Sequence, residues 1–220
     1  MFPFLPLPRQ SLLVEQHEDE SKLLASFQPT ARRQIRVAER FGYEVYIGDS
    51  SDELKRAWPL MEMTASRKGF QIYRPLSNWL RTFDLGRGHS CVRICAVYLQ
   101  GRPIQAILLV RDSTTACYVY GGLDLDALGD NPSPGCLLHW NGMREAWRLG
   151  CKFYDLGGVG PGAEKLHIFK RKFRPMEHMW PAPFNLVTNR ALFPLWEKAI
   201  MGGVRLLWPR IKTVTSRLLR

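Results

Sequence analysis

Long apolar runs are missing from this chain. No uncharged stretch reaches the roughly 18 apolar residues that a membrane-crossing helix needs, so none is expected. Cysteine is scarce and unpatterned: Cys91, Cys95, Cys117, Cys136 and Cys151 are odd in number and form no Cys-x-x-Cys pair. That argues against a disulfide framework or a zinc site, and for buried thiols in a reducing cytosol. The five histidines (His17, His89, His139, His167, His178) show no metal-ligand spacing. Gly86-Arg87-Gly88 follows a helical pattern and leads into a strand, the reverse of the order a phosphate-binding loop requires. The opening MFPFLPLPRQ has Pro3, Pro6 and Pro8 but no basic lead, so it lacks the form of a signal peptide. It reads as a poorly ordered lead-in, or as the stub of something upstream. Internal repeats and low-complexity runs are absent.

What remains is the composition of a globular protein, 45% hydrophobic and 23% charged, in 220 residues. That is enough for one domain with a full core, or one domain plus a remnant of another. Charge is unevenly placed. Residues 165–220 hold 12 basic and 2 acidic residues, against 19 and 18 before them, so nearly all of the +11 net charge lies in the last quarter. Two readings stay open: a polyanionic partner (nucleic acid, diphosphate or anionic lipid), or a solvated basic face on terminal helices.

Periodicity places the elements. Leu23 to Phe41 reads as a helix, with Pro29-Thr30 as an entry turn, Arg32, Arg33, Arg36 and Arg40 among its apolar positions, and Gly42 as its stop. Tyr43–Ile47 alternates as a strand, and Asp49-Ser-Ser-Asp-Glu starts a helix running to about Lys68. A helix from about Pro75 to Leu85 precedes three strands, Cys91–Leu99, Ile104–Arg111 and Ala116–Gly121. Then come a helix Cys136–Leu149, a strand Phe153–Leu156, a helix, and an edge strand Met179–Val187 containing Pro181 and Pro183. Residues 193–220 read as largely helical and kinked at Pro209. The sheet is therefore mixed and largely antiparallel, flanked by helices in an α/β fold.

The helix after Phe153–Leu156 stands out. Leu166, Phe169, Lys170 and Phe173 fall at i, i+3, i+4 and i+7, the spacing of one buried face, and a lysine stands in its middle. Lys165, Arg171, Lys172 and Arg174 take the other sides, where solvated charge is ordinary. Lys170 must snorkel, pair with an anion, or point into a cleft that holds one.

Asp155-Leu-Gly-Gly-Val159 followed by the Phe169-Lys170 pair resembles the FemABX aminoacyltransferases. These bacterial enzymes move an amino acid from aminoacyl-tRNA onto a peptidoglycan precursor. Three further stretches resemble the family in the right order. They are Thr30-Ala-Arg-Arg-Gln-Ile-Arg-Val-Ala-Glu-Arg-Phe-Gly42 (its Arg-rich linking helix), Thr64-Ala-Ser-Arg67 (its Thr-x-x-Arg segment) and Tyr118-Val-Tyr-Gly-Gly122 (its Tyr-rich strand). The resemblance covers the chain from about Leu23 onward and implies an acyltransferase fold of GNAT type. It divides the chain into a lead-in and Arg-rich helix at 1–42 (a remnant of a first domain), a GNAT-like domain at 43–190, and a basic amphipathic helix at 191–220. Members of the family have two GNAT-like domains and nearly all of the first is missing here, so a partner supplying it is one expectation. The family usually has glycine at the position of Lys165, and Phe-Gly where Phe173-Arg174 stand.

The resemblance assigns roles. Lys170 and Phe169 sit at the reaction centre, the lysine on the tRNA terminal phosphate and the developing charge, the phenylalanine at the adenosine end. Arg67 contacts the acceptor diphosphate, and Tyr120, beside Tyr118 on one strand face, contacts the acceptor peptide. Gly157 and Gly158 let backbone approach a ligand. Asp155 would take the amine's proton, although an Asp at a strand end more often bonds nearby backbone N–H groups. Lys165, Arg171, Lys172 and Arg174 are candidates for phosphate contact. No cofactor is implied, since aminoacyl-tRNA is a co-substrate, and the location implied is the cytoplasm, including the inner face of the membrane. The C-terminal stripe Val204, Leu207, Ile211, Val214 and Leu218, ringed by arginines and Lys212, fits packing on its own domain, an anionic lipid surface, or tRNA phosphates. Two rival readings remain. One is an acyl-CoA-dependent enzyme, against which Asn131-Pro-Ser-Pro-Gly135 lacks the Gly-x-Gly/Ala pattern that holds the CoA pyrophosphate. The other is an inactive fragment that binds tRNA or a partner.

Overall fold

The computed structural model describes residues 10–86, 88–160, 162–181 and 192–196. In chain order the elements are β1 (Gln10–Glu15), α1 (Glu20–Ser26), α2 (Pro29–Phe41), β2 (Glu44–Gly48), α3 (Ser51–Lys68), α4 (Leu76–Gly86), β3 (Val92–Leu99), β4 (Arg102–Arg111) and β5 (Thr115–Leu123). They continue with α5 (Leu125–Leu128), α6 (Gly135–Arg148), β6 (Phe153–Asp155), α7 (Glu164–Arg171), β7 (Met176–Met179) and α8 (Phe193–Trp196). Contacts divide the chain into one unit through Trp180 and another from Pro181. No helix among the described residues is long and apolar enough to cross a membrane.

Helix boundaries follow from local chemistry. The Ser50 hydroxyl caps α3 by accepting from the Glu53 N–H, Asp52 and Glu53 sit in its first turn, and Arg67 and Lys68 in its last. The helix expected from Leu23 to Phe41 is broken in two, because Pro29 cannot continue a helix and starts a new one at its first position.

Seven strands form one sheet in the order β2-β3-β4-β5-β6-β1-β7, and every pair is antiparallel except β5–β6. This is the mixed, largely antiparallel sheet the sequence implies. Strand β1 is an addition. It inserts between β6 and β7, where a lead-in was expected, with Leu12 and Val14 fully buried. Six residues with one apolar run, Leu12-Leu13-Val14, show no alternation to mark a strand, and the partners of β1 lie more than 130 residues away. The last strand ends at Met179 at the sheet edge; residues 182–187 of the expected strand, and the C-terminal helix beyond Trp196, lie outside the described residues.

Two cores flank the sheet. On one face Ile35 and Ala38 of α2, Leu138 and Met143 of α6, and Phe173 pack on Cys95, Val97, Ile107 and Leu109. On the other, Leu54, Trp58 and Met61 of α3 and Trp79 and Phe83 of α4 pack on Ile94, Ala96 and Leu108.

Strand β5 changes face midway. Leu108 pairs with Tyr120 but Leu109 with Tyr118, so Val119 is an extra residue with no partner on β4. A bulge of one residue turns everything beyond it to the opposite side. Tyr118 therefore packs in the α6 core and Tyr120 in the α3 core. The expectation that the two tyrosines share a face is corrected by this bulge.

Candidate active site

The site forms where β5 and β6 part. They pair only from Thr115–Cys117 to Phe153–Asp155; β6 ends there while β5 runs on to Leu123. Beyond Cys117 and Asp155 the two strands no longer share hydrogen bonds, and the loop after β6 and helix α7 pack beside the free part of β5.

Asp155 closes β6 with a tight turn, its Oδ1 accepting the Gly157 N–H at 2.6 Å. Gly157 then adopts φ +73°, and a Cβ there would lie 3.6 Å from the Tyr118 carbonyl oxygen and 3.7 Å from Lys170 Nζ. The left-handed backbone favours glycine, while the space would admit a Cβ at ordinary contact distance.

Lys170 enters from α7. It is 3% exposed, its Nζ donates to the carbonyls of Gly157 (3.1 Å) and Gly158 (3.0 Å), and it lies 5.6 Å from the Tyr118 ring centroid. Among the described residues no carboxylate lies within ion-pair distance of it. Burial lowers its pKa to about 8, against the upward pull of Asp155. The amine thus neither snorkels to solvent nor pairs with a carboxylate; it is buried and bonded to two backbone carbonyls.

Beneath it lies His139 of α6, which the sequence reading passed over for want of metal spacing. Its Nδ1 is 3.0 Å from the Tyr154 hydroxyl, and its ring meets Tyr118 (5.0 Å), Phe169 (5.6 Å) and Phe173 (5.8 Å). Burial, then the charge of Lys170, pushes its pKa down to about 3, so it is neutral near pH 7 and serves as a wall. Cys136, His139 and Met143 fall at i, i+3 and i+7, and that periodicity was the available signal.

Phe169 is half-buried against Gly135 at the start of α6, where an added Cβ would lie 3.4 Å from its ring. The remaining basic candidates disperse. Lys165 and Arg174 are exposed, Arg171 bonds His167 and pairs with Glu177, and Lys172 donates to Gln34 at 3.0 Å.

Arg67 and Tyr120 lie on the other face. Arg67 donates to the Leu123 carbonyl (3.1 Å) and to the Thr64 hydroxyl (3.3 Å), and that hydroxyl accepts the Leu123 N–H (3.0 Å). The Thr-x-x-Arg segment thus clamps the end of β5 to α3. The clamp is tight: a Cβ on Gly122 would come within 2.2 Å of the Leu60 backbone. The structure therefore gathers Lys170, Phe169, Tyr118, Asp155, Gly157 and Gly158 around one gap, and sets Arg67 and Tyr120 across the sheet from it.

No curated protein sequence matches the chain. Among solved structures it is similar to FemX, with a TM-score of 0.68 at 18% identity over 79% of this chain and 60% of that one. It is also similar to a C-terminal domain assigned to a lysylphosphatidylglycerol synthetase of Agrobacterium fabrum (TM-score 0.54, 14% identity, 77% of this chain and 57% of that one). L-PGS from Bacillus licheniformis gives 0.50 at 13% identity, with 76% and 57% covered. At such identities the likeness is one of fold, and the chain spans about three fifths of each of these proteins. The acetyltransferase (GNAT) domain pattern matches residues 25–171, which takes in every site residue from Arg67 to Arg171, and the chain belongs to that family, with a FemABX-like fold.

Proposed function

We propose that this domain transfers an amino acid from aminoacyl-tRNA to an amine on the peptide stem of a peptidoglycan precursor, with Lys170 as the fixed cation of the site. One observation carries the reading. A buried lysine with no carboxylate partner sits where β5 and β6 part, its amine held by carbonyls alone. Burying an amine this way costs stability, and an anion arriving in the gap offsets that cost.

Aminoacyl-tRNA is an activated ester, so no covalent intermediate on the protein is needed. The acceptor amine attacks the ester carbonyl, the bond to the ribose oxygen breaks, the ribose hydroxyl leaves with a proton, and an amide forms. The protein positions both substrates and stabilises the oxyanion. Lys170 supplies positive charge for the terminal phosphate and the oxyanion. Asp155, engaged with Gly157, holds the loop that presents the two carbonyls and favours the charged lysine. Phe169 packs against the adenosine end. Arg67 and Tyr120 serve the acceptor from the α3 side, so that donor and acceptor meet across the gap from opposite faces.

Use of the fold for aminoacyl groups is supported by its likeness to a protein named for attaching a lysyl group to phosphatidylglycerol. The test is transfer of labelled amino acids from charged tRNA to nucleotide-linked and lipid-linked peptidoglycan precursors, with acetyl-CoA as rival donor and phosphatidylglycerol as rival acceptor. Transfer from tRNA to a precursor is expected. Transfer from acetyl-CoA alone would replace the donor, and transfer to phosphatidylglycerol alone would replace the acceptor. No transfer by the folded chain from either donor would mean a fragment or binding subunit and overturn the reading for this chain alone.

A further inference from the structure

Helix α2 carries four arginines, Arg32, Arg33, Arg36 and Arg40, and one acid, Glu39. Its inner face is spent on Ala31, Ile35 and Ala38, all fully buried, so the arginines point outward and line an open depression with Pro29 and Val37. Among the described residues none of the four side chains makes a hydrogen bond, an ion pair or a ring contact. Helix α3 is a control within the same molecule: there Lys55 pairs with Asp52 and Arg56 with Glu53. Like charges at i and i+4 destabilise a helix, so the α2 row raises the energy of the free protein and lowers it only with an anion on it.

Three features select the anion. Arg32, Arg36 and Arg40 stand one turn apart along about 12 Å of helix, a line of charge instead of a point. Guanidinium forks suit phosphate oxygens. With its inner apolar side buried and only Val37 and Phe41 exposed among the arginines, α2 has two separate apolar side chains but no continuous apolar face to immerse in lipid.

The row is also docked to the site helix. The Gln28 N–H donates to the Lys172 carbonyl (2.9 Å), the Gln28 side chain to the Arg171 carbonyl (3.0 Å), and Lys172 Nζ to Gln34 (3.0 Å). The start of the track is thus bonded to residues one and two positions past Lys170 in the chain. We propose that Arg32, Arg33, Arg36 and Arg40 are the track for the phosphodiester backbone of an RNA whose 3′ end lies at Lys170. This rests on aminoacyl-tRNA being the donor, and it moves the main phosphate contacts from α7 to α2.

The experiment measures binding of deacylated total tRNA to the full chain across a salt series. The triple variant Arg32→Gln/Arg36→Gln/Arg40→Gln, whose substitutions keep helix propensity, is compared with Lys55→Gln/Arg81→Gln/Lys152→Gln, which removes equal charge elsewhere. The α2 variant is expected to bind on the order of tenfold more weakly at 0.1 M salt, with the slope of log K against log salt reduced by about 2 to 3. The control variant should stay near the wild type. In transfer assays the α2 variant should raise KM for aminoacyl-tRNA but not for an aminoacylated cytidylyl-adenosine dinucleotide, which is too short to reach α2. Equal losses in both variants, or an unchanged slope in the α2 variant, would overturn the track while leaving the RNA donor standing. Loss of binding to phosphatidylglycerol vesicles with tRNA binding intact would make α2 a membrane face and overturn it too. A wild type that binds no tRNA would remove the donor reading and the track together.

Discussion

The two faces of the sheet hold different chemistry. Toward α3 and α4 the buried side chains are mostly aliphatic and aromatic, their polar atoms being the Thr64 hydroxyl, the Tyr98 hydroxyl bonded to Glu53, and the Trp79 indole N–H. Toward α6 and α7 the same sheet buries Lys170 and His139 and sets the Tyr154 hydroxyl against the histidine. Buried polar groups lower stability unless their partners are complete. The buried lysine and histidine lie together on one face, near the point where two strands stop pairing, and the proposed function puts the chemistry there and treats the other face as scaffold.

The largest effect expected is on the scaffold. Phe83→Ala removes a fully buried ring from the α4 side and should cost about 3–5 kcal/mol of stability. Turnover per folded molecule should stay near wild type, as measured by active-site titration beside a denaturation curve. A loss of turnover larger than the loss of folded protein would dissolve the contrast between faces.

Lys170→Met should do the reverse. Removal of a fixed cation at an oxyanion typically costs on the order of 10²–10³ in kcat, while the buried methionine avoids the burial of charge. Stability at pH 7 should therefore be retained, and a stopped transfer with an unchanged denaturation midpoint would place Lys170 in the mechanism. Unchanged transfer would take it out.

Acidity sharpens the same comparison. The folded pKa of Lys170, about 8, lies below its ordinary 10.5. Between those values the unfolded chain binds more protons, so this group's contribution to stability rises with pH, by about 3 kcal/mol in all. The thiols of half-buried Cys117 and buried Cys136, both raised to about 11 by desolvation, contribute stability that is lost as pH climbs from 9. The readable quantity is therefore the difference between wild type and Lys170→Met, which should shift in favour of the wild type from pH 8 upward. Over the same range the lysine loses its charge, so transfer should fall as stability from this group grows.

The sheet class, the order of most elements and the oddity of Lys170 were legible because each rests on local periodicity. A lysine in phase with Leu166, Phe169 and Phe173 announces itself without a structure. Strand β1 was not legible, since its meaning comes from partners over 130 residues distant. The bulge at Val119 was not legible either: Tyr-Val-Tyr alternates faultlessly, and the register shift is set by what β4 offers opposite. Residue types alone also could not separate Arg56 of α3, which pairs with Glu53, from the arginines of α2, which make no ion pair among the described residues although Glu39 lies on the same helix.

The smallest effect tests that bulge. The Tyr120 ring meets Trp58 and Trp79 edge-on, at 6.5 and 6.0 Å, and its hydroxyl makes no hydrogen bond among the described residues. Tyr120→Phe keeps the packing, so stability should stay within about 0.5 kcal/mol. With Tyr120 on the acceptor side, KM for the acceptor should rise a few-fold and KM for the donor should not move. Tyr118 sits beside Lys170 on the opposite face, so Tyr118→Phe should alter the donor parameters and leave the acceptor's alone. Had the strand alternated without its bulge, both substitutions would act on one substrate; a shared effect would therefore undo the assignment of donor and acceptor to opposite faces of the sheet.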